Sequence, residues 1–69
     1  MKKYIIKSIK DKIEAKHEEY ASNYIAHKYQ STLNTPDAKK QVESAEHNMK
    51  LHLETIAFLK ELLKKEMKG

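Results

Sequence analysis

Core-sized residues in this chain are spaced symmetrically about a single break. Ile6, Ile13, His17, Tyr20, Tyr24, His27 and Ser31 have counterparts at Leu63, Ile56, His52, Met49, Ala45, Val42 and Ala38, and the numbers of each pair add to 69. Two antiparallel helices folded about Asn34 would bring such pairs face to face, layer by layer. The spacing therefore predicts an all-α antiparallel helical hairpin forming one domain over residues 1–69.

Helix 1 is expected over about residues 3–31, where Ile6, Ile9, Ile13, His17, Tyr20, Tyr24 and His27 recur at three- and four-residue steps. A turn is expected over 32–35. Thr35-Pro36-Asp37 then reads as a helix start: Thr35 can accept from free backbone N–H groups, Pro36 needs no donor at the first helical position, and Asp37 suits the positive helix end. Helix 2 is expected over about 36–67. Its stripe of Ala38, Val42, Ala45, Met49, His52, Ile56, Leu59 and Leu63 alternates steps of four and three, a strict heptad, and Gly69 is expected to stop it. Facing volumes agree, with bulky Tyr24 opposite small Ala45 and Ile6 and Ile13 opposite Leu63 and Ile56.

A chain of 69 residues lies where a single core is marginal without a staple. It has no cysteine, so neither a disulfide nor a thiolate zinc site can serve. Oligomerisation is the remaining common remedy, and the second apolar row on helix 2 points the same way. Leu51, Phe58 and Leu62, with Thr55 between them, lie well over 100° around the helix from the Met49–Ile56 stripe, so one partner helix cannot cover both rows. Dimerisation into a four-helix bundle is the expected way to cover this row, and where dimerisation leaves it exposed the row is instead the docking surface for a different protein. Ile25, Tyr29 and Leu33 form a sparser outer row on helix 1.

His17 and His52 fall in one expected layer, where a symmetric dimer could gather up to four imidazoles. Imidazole binds zinc, copper and nickel, and Glu14-Ala15-Lys16-His17 has the Glu-x-x-His spacing of di-metal bundles. Glu14 points toward the flank, however, and helix 2 supplies no clear inward carboxylate. His17 and His52 are therefore read first as a polar layer fixing register, with metal binding the weaker use. Were both rings buried and neutral, acid would destabilise the fold. No cofactor is expected.

Formal charge is uneven. Residues 1–12 carry five Lys against Asp11, and residues 57–69 carry four Lys against Glu61 and Glu66, which places +6 at the open end and −2 over the rest of the rod. Lys2, Lys3, Lys7 and Lys10, with Tyr4 among them, could contact a nucleic-acid backbone, although the absence of Arg argues against base-specific recognition. Nothing supports catalysis: there is no Cys nucleophile, no glycine-rich phosphate loop and no Ser with a positioned His. Apolar runs are too short to span a bilayer, and Lys7 interrupts any leader-like segment, so a cytoplasmic setting is expected. The functional expectation is a small non-enzymatic interaction protein, a regulator or inhibitor that docks a helical face onto a protein partner. The alternative is a nucleic-acid-binding regulator using the Lys-rich end.

Overall fold

The computed structural model describes residues 1–68. It contains α1 (Lys2–Ser31) and α2 (Pro36–Lys68), which pack against each other along their length through a short connection at 32–35. Gly69, the expected helix stop, lies outside the described residues. The two helices form a rod of 51 × 14 × 12 Å with a radius of gyration of 15.7 Å. A compact chain of this length would have a radius near 11 Å.

The connection is built by hydroxyl chemistry. At the end of α1, Ser31 Oγ donates to His27 O at 2.7 Å and Thr32 Oγ1 donates to Tyr29 O at 2.6 Å. The backbone N–H groups of Thr32 and Leu33 turn back onto Tyr29 O and Gln30 O. The contacts to Tyr29 O and Gln30 O occupy carbonyls that the helix itself leaves unpaired, while Ser31 Oγ bonds back to a carbonyl one turn inside the helix. The chain then restarts at Thr35, whose Oγ1 accepts from Ala38 N at 3.1 Å while Asp37 sits in the first turn. Thr35 thus works as the N-cap and Pro36 as the first helical residue. The opposite end of the rod is cruder, because α1 starts at Met1 without a side-chain cap and without an acidic residue in its first turn.

All eight residues of the α2 heptad are buried or partly covered, from Ala38 to Leu63, with Ala38, Ala45, Ile56 and Leu59 the most enclosed. On α1 the covered residues are Ile6, Ile9, Ile13, Lys16, Tyr20, Asn23, His27 and Gln30. This row shares Ile6, Ile9, Ile13, Tyr20 and His27 with the expected one. It takes Lys16, Asn23 and Gln30 in place of His17, Tyr24 and Ser31, which are exposed. The helix is rotated by about 40° from the expected phase. The cause lies at the open end, where Ile9 is only 5% exposed. Burying Ile9 with Ile6 and Ile13 sets the phase of a straight helix, and that phase carries polar residues into the seam nearer the turn. Lys16 and Gln30 can tolerate this because their aliphatic stems cover the partner while their polar ends reach water.

Replacing Thr35 by Ala should lower unfolding stability by about 1 kcal/mol, read as a reduced urea midpoint. Pro36→Ala should change it less, since Pro36 contributes preorganisation and no side-chain hydrogen bond.

Candidate interaction surface

Leu51, Thr55, Phe58 and Leu62 form a continuous row beside the seam of α2. Phe58 is 65% exposed and Leu51 44%, whereas Thr55 and Leu62 are partly covered. Thr55 Oγ1 donates to Leu51 O at 2.9 Å, so its hydroxyl is satisfied within the helix and its methyl can join an apolar face. Upstream, Ser44 and Asn48 continue the row, and the series 44, 48, 51, 55, 58, 62 alternates steps of four and three like the seam beside it. A helix with two neighbouring heptad rows is shaped to pack against two neighbours. Ile25, Tyr29 and Leu33, also exposed, lie on the outer side of α1 and near the turn.

Two histidines bridge the helices. His27 Nε2 stands 3.0 Å from Glu46 Oε1, and His52 Nδ1 stands 3.5 Å from Glu19 Oε2. The same Glu19 oxygen accepts from Lys16 Nζ at 2.8 Å. The Lys16 hydrogen bond holds the Glu19 carboxyl below the usual carboxylate range, desolvation partly opposes it, and the charges of Lys16 and His52 add to the lowering. On the opposite flank, Tyr20 and Tyr24 stack with ring centroids 6.5 Å apart, and Lys28 Nζ lies 5.3 Å from the Tyr24 ring centre. Tyr24 therefore lies against its own helix and does not fill the space opposite Ala45, which the facing volumes had suggested. Asn23 Oδ1 is buried in the seam without a hydrogen-bond partner.

The expected His17–His52 layer does not form. The rotation of α1 leaves His17 exposed and turns His52 toward Glu19. Among the described residues no group of three or more His, Cys, Asp or Glu is placed to hold a metal ion, and Glu14 is exposed beside His17. The premise of a buried imidazole pair, and of acid lability arising from it, fails with that layer. Lys2, Lys3, Lys7 and Lys10 are all exposed at the open end. Lys7 pairs with Asp11 at 3.0 Å, while among the described residues Lys2, Lys3 and Lys10 form no ion pair. Near the turn, Gln30, Ser31, Leu33, Asn34, Lys39, Val42 and Glu43 line an open depression of about 360 Å³.

The histidine bridges escaped sequence inspection because each joins a seam residue to a flank residue, and flank pairing depends on rotation about the helix axis. Their signal was present in the register, since Glu19 lies two residues from the position opposite His52 and Glu46 lies four residues, about one turn, from the position opposite His27. Among the described residues no helix is long and apolar enough to cross a membrane. Comparison with protein-family models, with curated proteins and with solved structures finds no match to this chain.

The depressed Glu19 carboxyl sets the direction of one pH effect. A group whose pKa is lower folded than unfolded contributes stability above its ordinary value of 4.5, and that contribution is lost as acid titrates it in the folded protein. Urea midpoints should therefore fall on acidification from about pH 6 to about pH 3. Glu19→Gln should be less stable than the wild type at the upper pH and nearly equal to it at the lower. A difference of the same size at both would contradict this role.

Proposed function

We propose that this chain is a non-enzymatic interaction protein that docks the Leu51, Thr55, Phe58 and Leu62 face of α2 onto a protein partner, and that this partner is a second copy of the chain. Two hairpins joined in this way make a dimeric four-helix bundle, a scaffold suited to a small regulator or inhibitor.

The observation that carries this is the area left in contact with water. One copy exposes 5562 Å² at a mass of 8.1 kDa. A compact monomer of that mass exposes about 4,500 Å². The surplus of about 1,100 Å² exceeds the roughly 800 Å² per partner that a stable interface of standard size removes. The second heptad row supplies apolar side chains at the spacing another helix needs, and among the described residues only five side chains are buried in a single copy. The lack of cysteine and the short apolar runs support a cytoplasmic setting for such a module.

A second use, binding of nucleic acid, is supported by the concentration of charge. The open end carries +6 while the remainder carries −2, and Lys2, Lys3, Lys7 and Lys10 all face solvent there. Such an end would follow phosphates without reading bases.

Light scattering across a concentration series should give about twice 8.1 kDa for the wild type. Phe58→Asp should return the mass to a single copy with unchanged helicity, because Phe58 is mostly solvent-facing within one hairpin. Single-copy mass for the wild type at every concentration would overturn the proposal.

A further inference from the structure

The two histidine bridges fix which residues stand level along the rod. Glu19 meets His52 and His27 meets Glu46, pairs whose numbers add to 71 and 73. By the same rule Leu51 is level with Ser22 and Phe58 with Ala15, and Leu62 falls within a few residues of Ser8. The α2 row lies roughly 120° around from its own seam, and Ser8, Ala15, Ser22 and Ala26 lie roughly 110° around from the α1 seam. Because the helices are right-handed and run in opposite directions, both sets face the same side of the hairpin. All four small residues are exposed. One face of the rod thus presents bulky apolar residues on α2 beside small residues on α1, at matching heights.

Such a face is complementary to itself under one rotation. A second copy turned by half a revolution about the rod's long axis lays its bulky row on the first copy's small stripe and receives the reverse, with the two 51 Å rods in full overlap. Turning the second copy end over end instead opposes the two bulky rows. The centre of each row, between Thr55 and Phe58, lies on the open-end side of the middle of α2, so the rods would slide about 13 Å out of full overlap. Packing favours the first arrangement, and it has an electrostatic consequence. Neighbouring helices are 8–10 Å apart, roughly one Debye length at 0.1 M salt. Two open ends of +6 each are then brought within range of one another, and a chain of phosphates would neutralise both. Tyr4, 73% exposed, stands among these lysines and offers a ring on which a base can stack.

We propose that two copies lie side by side in the same direction, turn beside turn, with Leu51 and Phe58 of each over Ser22 and Ala15 of the other, and that their Lys-rich ends together form one cationic surface for a nucleic-acid backbone. The inference rests on the self-association proposed above and adds to it a direction and a ligand class. The site is incomplete in one copy, which holds only half of its charge.

The chain has no cysteine, so a spin label on Asn34→Cys reports the direction of packing without interference. Labels at the two turns should lie about 20 Å apart, on the order of two helix spacings. A dimer whose labels are separated by the 51 Å rod length or more overturns this inference while leaving self-association intact. Single-copy mass overturns both. The ligand is tested with a fluorescent single-stranded oligonucleotide of about 20 nucleotides at about 50 mM salt, where the wild-type dimer should bind and lose more than tenfold in affinity by about 200 mM. Phe58→Asp keeps every lysine and should bind at least tenfold more weakly. Should it lose helicity, Ala15→Glu at the facing position replaces it. Equal binding by a folded single-copy variant overturns the shared surface, and so does binding to phosphatidylserine vesicles with none to the oligonucleotide.

Discussion

Aliphatic side chains meeting at the open end of the rod govern how the whole hairpin is phased. Ile6, Ile9 and Ile13 on α1 and Ile56, Leu59 and Leu63 on α2 are the densest apolar set in the chain, and three of the five side chains enclosed among the described residues belong to it. Each such residue gains about 2 kcal/mol on full burial, whereas the polar residues toward the turn gain little from either orientation. A straight helix cannot choose its phase separately at its two ends. The open end therefore decides what α1 shows to α2 along all of its length.

Several features of the turn half follow from that decision. Lys16, Asn23 and Gln30 enter the seam although none is apolar, and Asn23 Oδ1 is left without a partner. Such a group costs stability, and it sits where the seam is least apolar. The histidine bridges to Glu19 and Glu46 compensate in part by joining the helices through groups that also touch water. A thin, half-polar seam leaves a single hairpin with more surface than its mass warrants, and the second heptad row of α2 is the apolar surface available to remove it.

The hairpin itself was legible in the sequence. Thr35, Pro36 and Asp37 mark a helix start that no competing signal contradicts, and the α2 stripe combines a strict heptad with mostly apolar residues, so its inward face had one reading. The α1 stripe was ambiguous beyond Ile13. Rows through His17 and Tyr24 or through Lys16 and Asn23 share Tyr20 and His27, and an aromatic residue on the first row made it the more apolar choice. What decided between them was Ile9, a local commitment propagated by helix stiffness. The His17–His52 layer was lost with that choice. The Leu51–Phe58 row was readable because it lies on α2 and does not depend on the phase of α1, whereas Lys3 and Lys10 share the heptad position of His17 and Tyr24 and owe their exposure to the same rotation.

The phase of α1 is tested most directly by comparing two alanine substitutions in equilibrium urea unfolding, Ile9→Ala and His17→Ala. Burial of Ile9 predicts a loss of about 2–5 kcal/mol for the first, and exposure of His17 predicts a change within about 0.5 kcal/mol for the second. A large loss at His17 with little effect at Ile9 would contradict the packing on which the interaction face and its partner geometry both rest.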